Sequence, residues 1–214
     1  KFYSYSINNN NVLDWGNTTS TLRWNHIYNS KLFSNITAYY SNYNYSYYIN
    51  DDLMNFDWKS KIKETGLKSD FNSYLNSSNT IKFGLAAIYH YFEPGKIEPR
   101  SITSSVKPFD LSNKNAFEFS AYLSNEQKFA NKFSVDYGIR YAGFLNIGID
   151  TVFQYNNEMT QITGYKAYGK GEIVHYYQSI EPRLSARYAL NNNNSLKLAY
   201  GFNTQFLHLL SNSS

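Results

Sequence analysis

Apolar and polar residues alternate along most of the amino-acid sequence. The clearest example follows the asparagines at 191–194, where six mostly apolar residues alternate with six small or polar ones: Leu196, Leu198, Tyr200, Phe202, Thr204 and Phe206 against Ser195, Lys197, Ala199, Gly201, Asn203 and Gln205. Successive side chains of a β-strand point to opposite faces of the sheet, so this pattern predicts a strand with one apolar face. Residues 180–188 alternate in the same way, and residues 177–210 therefore predict a long hairpin that turns at the asparagines.

The same alternation predicts about nine strands. Seven precede this hairpin, at residues 1–7, 18–27, 32–49, 60–75, 80–92, 116–129 and 133–147. Residues 8–17, 51–58, 93–115 and 148–175 lack the pattern and are predicted to be loops. The last eight strands pair into four hairpins with tight internal turns. Pro182 interrupts one of them, which predicts a bulge or an edge-like position because proline has no N–H to donate to a neighbouring strand.

The asymmetry of the connections indicates a membrane barrel. Short turns at one end and long loops at the other are typical of outer-membrane β-barrels, and the strands exceed the usual length of about 5–6 residues in globular proteins. We therefore predict an all-β fold, a transmembrane antiparallel up-and-down β-barrel in the bacterial outer membrane. Nine is an odd number of strands, whereas single-chain bacterial barrels have an even number. Residues 1–214 are accordingly expected to form part of a larger barrel, with both barrel ends outside the sequence.

Composition narrows the function classes without selecting one. The mean hydropathy of −0.54 reflects a chain with no long apolar run, so no transmembrane helix is predicted. Aromatic residues make up 19% of the sequence, which suits an aromatic-girdled barrel and also a secreted carbohydrate-binding β protein. The absence of cysteine removes disulfides and thiolate metal sites. The net charge of +4, with both signs interleaved, gives no indication of nucleic-acid binding.

Charged residues at the polar positions of the alternation are predicted to line a water-filled barrel lumen. We assign to this lumen wall Arg140, Glu181, Arg183 and Arg187. The alternative for Glu181, Arg183 and Arg187 is direct contact with a ligand. Four aromatic residues near the predicted strand ends are expected in the belts at the membrane interfaces: Trp24, Tyr28, Phe92 and Tyr177.

Aromatic residues near the predicted loops are the candidates for ligand binding, because an aromatic ring combines flat apolar area with a polar edge or hydroxyl group. The candidates are Tyr45, Tyr47, Trp58, Phe153, Tyr155, Tyr165 and Tyr168. Such rings could hold a sugar, a peptide or a siderophore at an extracellular mouth. The alternative is that they form a girdle or pack the loops.

Catalytic and metal motifs receive no support from the sequence. It contains no G-x-S-x-G nucleophile motif, no phosphate-binding loop and no evident pair of catalytic carboxylates. His90 and Glu93 lie three positions apart, which on a strand places them on opposite faces and argues against a shared metal ion. We therefore predict no enzyme activity, no cofactor and no metal site.

Three stretches carry a family resemblance: residues 15–40, 81–95 and 180–212. They resemble the barrel of TonB-dependent outer-membrane receptors, in particular the branch common in Bacteroidetes-type bacteria. The resemblance implies a barrel of about 22 strands whose lumen is filled by a plug. It also implies energy supplied by the TonB complex through that plug domain, which this sequence does not contain.

The function that the resemblance implies is import of a scarce nutrient, such as a siderophore, glycan or peptide. The expected partners are outer-membrane lipid, the TonB complex and the small nutrient ligand, with a surface lipoprotein as a further candidate. Two alternatives stay open at this point. One is a secreted or surface β protein that binds glycan through aromatic loops, and the other is a passive outer-membrane porin.

Overall fold

The computed structural model describes residues 2–8, 11–51, 54–130 and 132–207, with side chains from residue 11 onward. This part of the chain forms twelve strands: β1 (Phe2–Asn8), β2 (Asn11–Ile27), β3 (Leu32–Ile49), β4 (Phe56–Asn76), β5 (Asn79–Pro99), β6 (Phe109–Asp110), β7 (Lys114–Phe129), β8 (Phe133–Ile147), β9 (Asp150–Tyr155), β10 (Ile162–Tyr168), β11 (Ile173–Ala189) and β12 (Ser195–Gly201). No helix among the described residues is long and apolar enough to cross a membrane.

Nine of these strands form one antiparallel meander. Their order across the sheet is β1-β2-β3-β4-β5-β7-β8-β11-β12, β6 pairs with β5, and β9 and β10 form a separate two-stranded sheet. The predicted all-β antiparallel up-and-down architecture is confirmed. The short connections β2–β3, β4–β5, β7–β8 and β11–β12 lie at one end of the sheet, called here the turn end. The opposite end, called here the loop end, carries the long connections at 100–113 and 148–172.

Strand register gives the sheet one continuous apolar face. Leu22 pairs with Ala38, Ala38 with Leu67, and Leu67 with Ala87, so that apolar positions of four strands meet in one row. This face is open to the surroundings: Leu22 is 75% exposed, and Leu85, one row nearer the turn end, is 62% exposed. Covering such a surface with an apolar medium is favourable in proportion to its area.

Buried side chains of the meander concentrate on the opposite, polar face. Four hydrophobic residues are buried in the described part of the chain, and three of them, Ala116, Ala142 and Phe144, lie on the polar face. Glu181 and His90 are also buried there. No second sheet packs against the apolar face within the described residues. The buried two-sheet core expected of a secreted glycan-binding β protein is therefore not formed by this part of the chain.

Several strands extend further toward the loop end than their alternation predicts. β2 begins at Asn11, β4 at Phe56, and β5 continues to Pro99. Parts of the predicted loops also fold as β6, β9 and β10. These segments lack the regular alternation of apolar and polar residues seen in the rest of the meander, and hydrogen bonds to the neighbouring strand hold them. The predicted loop boundaries at 8–17, 51–58, 93–115 and 148–175 are corrected accordingly, and Trp58 lies on a strand.

Pro182 occupies an edge-like position without a bulge. Its pairing with Ile139 of β8 continues the register unbroken. Its carbonyl accepts a hydrogen bond of 3.1 Å from the amide of Phe202, so its missing N–H also faces the β12 side. The β12 ladder ends at Gly201, and the amide of Thr204 donates to the Glu181 carboxylate at 3.1 Å. The predicted continuation of this strand to residue 206 is therefore wrong, because the proline cannot supply the next ladder donor.

Two of the four predicted belt residues lie on the apolar side. Trp24 and Tyr28 flank His26, with ring centroids 5.3 Å and 4.4 Å from it, near the turn end. Phe92 and Tyr177 belong to the polar face instead, so their assignment to the belts is wrong. Phe92 shares the parity of His90 and stacks on it at 5.8 Å, and Tyr177 pairs with Phe144.

Candidate ligand-binding surface on the polar face

Toward the loop end, the polar face becomes aromatic. Trp15, Tyr43, Tyr45, Tyr47 and Trp58 share this face on β2, β3 and β4 and are called here the aromatic surface. Trp15 pairs directly with Tyr45, and Tyr47 pairs directly with Trp58. Cross-strand pairs of this kind bring side chains to about 4.5–5.5 Å between Cβ atoms. The structure thus brings together Tyr45, Tyr47 and Trp58, which the sequence had identified separately.

Two of these rings lie close to neighbouring groups. Trp58 lies over Gly95 of β5, where an added Cβ would come within 2.5 Å of the indole Nε1. Burial raises the pKa of the Tyr45 phenol, and the neighbouring Tyr43 and Tyr47 raise it further. Tyr43 and Trp15 were missed as site residues. The parity of Tyr43 with Tyr45 could have indicated it, whereas Trp15 fell in a predicted loop.

The remaining candidate rings lie on the β9–β10 hairpin. Phe153 pairs directly with Tyr165, and Tyr155 shares their face. Tyr168 pairs with Asp150 and so faces the other side of the hairpin, where the Lys166 ammonium lies 4.6 Å from its ring centroid. The seven candidates therefore divide between the meander and the hairpin, and Tyr168 is turned away from the other hairpin rings.

Between the aromatic surface and the turn end, a row of ionisable side chains crosses five strands of the polar face. It is called here the charged row. The row consists of Glu64, His90, Glu118, Arg140, Glu181 and Arg183. His90 Nδ1 lies 3.0 Å from Glu64 Oε1, and its Nε2 lies 3.8 Å from Glu118 Oε2. Arg140 lies 3.8 Å from Glu118 and 3.2 Å from Glu181. Arg183 completes the row at 3.5 Å from Glu181.

The predicted lumen-wall residues all lie on this polar face. Glu181 is fully buried and accepts hydrogen bonds from Arg140, Arg183 and the amide of Thr204. Arg187 lies outside the charged row, in register with Ser134 of β8 and Lys197 of β12. A carboxylate removed from water requires compensating hydrogen bonds, and Glu181 obtains them from both arginines and the backbone.

The histidine that raised the question of a metal ion lies between two glutamate side chains here. His90 contacts Glu64 and Glu118 on the polar face, whereas Glu93 pairs with Lys61 on the apolar side of the sheet. Among the described residues, no three histidine, aspartate or glutamate side chains converge as metal ligands would.

Comparison with known proteins gives a structural likeness only. No protein-family model matches the chain, and no curated protein matches its sequence. A crystal structure of the ferric-catecholate import receptor Fiu from E. coli K12 is 15% identical, with a TM-score of 0.60 over 90% of this chain and 36% of that chain. The hemophore receptor HasR of Serratia marcescens, in complex with HasA and heme, is 11% identical, with a TM-score of 0.62 over 92% of this chain and 31% of that chain. The copper transporter OprC is 10% identical, with a TM-score of 0.59 over 94% of this chain and 35% of that chain.

This chain spans about a third of the length of those three proteins. Each of the three matches covers 90–94% of this chain. The fold of the chain is therefore similar to that of a segment of Fiu, HasR and OprC.

Proposed function

We propose that the chain is part of an outer-membrane receptor that binds a scarce nutrient and imports it with energy supplied through TonB. The observation that carries this proposal is the exposed apolar face, which runs in register across the meander while the buried charges lie on the other face. A sheet with that distribution is stable when lipid covers the apolar side and water reaches the polar side. The structural likeness to Fiu, HasR and OprC supports the same function, since their names describe an import receptor, a hemophore receptor and a copper transporter.

The aromatic surface is the proposed contact for the nutrient. It lies at the loop end, which faces the cell exterior if the short turns are periplasmic, as in outer-membrane barrels. Its tyrosine hydroxyls and flat rings suit a ligand with ring faces and hydroxyl groups, such as a siderophore or a sugar. The hairpin residues Phe153, Tyr155 and Tyr165 are proposed as a second contact from the loops. Tyr168 has no proposed part because it faces away from them.

The charged row is proposed to line the path that the nutrient takes past a plug. The row supplies cations and carboxylates side by side, so it can contact a polar plug surface or a passing ligand through charge-assisted hydrogen bonds. The proposal assigns no catalytic step to the chain. Outer-membrane lipid and the TonB complex are the proposed partners, together with a plug domain elsewhere in the intact protein.

Uptake by cells that express the intact protein tests this function. The probes are a ferric catecholate chelate, haem and an oligosaccharide, each radiolabelled. We expect uptake of one of them to require TonB, and Tyr47→Ala with Trp58→Ala to reduce its binding about tenfold or more, since buried aromatic anchors dominate many interfaces. Tyr48→Ala is the matched control, because Tyr48 is adjacent on β3 but faces the opposite side of the sheet. Uptake that continues without TonB would indicate a passive porin, and equal effects of the two sets of variants would remove the aromatic surface from the ligand site.

A further inference from the structure

Three lysines of β4 project from the apolar side of the sheet. They lie on the loop-end side of its apolar rows, which are called here the apolar band. Lys59, Lys61 and Lys63 pair with Ser46, Asn44 and Asn42 of β3 in unbroken register with Leu67. Because they alternate with the polar-face positions, all three share the face of Leu67. They are called here the basic ladder.

The basic ladder begins where the apolar band ends. Tyr40, Thr65 and Tyr89 form one register row on this face, and the next row toward the loop end contains Lys63 and Tyr91. Tyrosines of this kind mark the headgroup level of a membrane. The Lys63 ammonium lies 5.3 Å from the centroid of the Tyr91 ring. The three lysines therefore continue outward from the level at which lipid headgroups carry their phosphates.

Carboxylates offset only part of this positive charge close to the band. Lys61 and Lys63 share one carboxylate, Glu93, at 3.5 Å and 3.8 Å. Further out, Lys59 lies 3.3 Å from Asp57, which also pairs with Arg100 at 3.1 Å. Two ammonium groups thus face a single carboxylate in the two rows nearest the tyrosines.

A cavity of about 540 Å³ opens beside the basic ladder. Lys59, Lys61 and Lys96 line it, and Asn44, Ser46 and Asn113 add neutral polar groups. Glu98 and Asp110 also line the cavity; Glu98 lies 2.6 Å from the Lys96 ammonium, and Asp110 pairs with Lys96 in register. Apart from Glu93, the acidic side chains that line the cavity therefore lie beside Lys96, farther from the apolar band.

We infer that the basic ladder binds an outer-leaflet lipid whose headgroup carries more than one phosphate. Successive same-face residues of a strand lie about 6.8 Å apart, so Lys59 and Lys63 are separated by roughly 13–14 Å. A headgroup lying along the strand can therefore place one phosphate against the two inner lysines and another against Lys59. Lysine side chains suit this position, because their aliphatic stems cover apolar surface while the ammonium groups reach the phosphates.

Binding of bisphosphorylated lipid A to the purified intact protein tests the inference. The titration uses mixed detergent micelles, with native mass spectrometry as the readout. We expect the double variant Lys61→Gln and Lys63→Gln to bind about 30-fold more weakly, since each lysine near an anionic lipid surface contributes about a five-fold factor. The matched control is Lys68→Gln with Lys197→Gln, which removes the same charge from the polar face and should leave binding unchanged.

A third variant tests whether removing negative charge beside the lysines strengthens lipid binding. Glu93→Gln removes the carboxylate shared by Lys61 and Lys63, so it should tighten binding of lipid A. Equal losses in the two lysine double variants, or weaker binding after Glu93→Gln, would overturn the inference. Competition by inorganic phosphate as effective as that by lipid A would also overturn it, because the phosphate would then not be that of a lipid. The test depends on the membrane location but not on import, so its failure leaves the proposed nutrient uptake standing.

Discussion

A single charge placed on one face of β2, and then on the other, distinguishes a surface that contacts lipid from one that contacts water. Leu22 and Thr21 are adjacent, both exposed, and lie on opposite faces of the same strand. Leu22→Arg places a guanidinium on the apolar face, and Thr21→Arg places the same group on the polar face. The two variants gain the same charged side chain at neighbouring positions, so a difference in their stability reports the medium on each side.

The position of Leu22 sets the expected magnitude. It lies five residues before the end of β2 at Ile27, which is about 17 Å along a strand at roughly 3.4 Å per residue. A strand tilt of about 40–45° reduces this to a depth of about 12–13 Å from the turn end. On the other side of Leu22, the row of Tyr40 is the next same-face row, about 6.8 Å along the strand. Leu22 therefore lies nearer the loop-end boundary than the middle, and arginine there is expected to cost about 1–3 kcal/mol, between the values for the midplane and the interface. Thr21→Arg is expected to cost less than about 1 kcal/mol as an ordinary exposed substitution.

The assay is reversible unfolding of the intact protein from lipid vesicles in urea, followed by tryptophan fluorescence. We expect the free energy of unfolding of Leu22→Arg to fall by about 1–3 kcal/mol relative to the parent protein. Equal losses from the two variants, or a larger loss from Thr21→Arg, would refute the assignment of the exposed apolar face to lipid.

Three further predictions concern individual contacts, each measured as a change in unfolding free energy against the parent protein. Glu181→Ala should cost about 2–3 kcal/mol because it removes a fully buried carboxylate that binds Arg140; an unchanged stability would show that the pair contributes nothing. Gly66→Ala should cost about 1–3 kcal/mol, since its Cβ would lie 2.3 Å from the Tyr39 ring, and a neutral result would mean that the ring moves aside freely. Gly171→Ala should cost about 1–2 kcal/mol from backbone conformation alone, because Gly171 has a φ of 84° and no atom lies within 4 Å of the position that a Cβ would occupy; a loss much above that range would indicate a further contact at this position.

Alternation was sufficient to predict the meander and its two faces. β3 and β8 occupy their predicted bounds, 32–49 and 133–147, because a sheet with one apolar and one polar face imposes a period of two on its residues. Where both faces are polar, that constraint disappears and backbone pairing alone determines the strand. This is why Trp58 was predicted in a loop and lies on β4.

The candidate site was only partly predictable for a related reason. The parity of Tyr45 and Tyr47 follows from β3 alone, but their meeting with Trp58 depends on the register between β3 and β4. The charged row depends on five strands at once, so local sequence could identify Glu181 and Arg140 but not the place of His90 between two glutamates. Non-local register of this kind is not encoded in the spacing of residues along one strand.

Fractionation of cells that express the intact protein tests the central claim most directly. If the apolar face meets lipid, the protein should sediment with outer membranes, resist extraction by salt and stay monodisperse only in detergent. A protein that is folded and monodisperse in buffer without detergent would contradict the membrane assignment, and the aromatic surface would then have to be explained as the binding site of a soluble β protein.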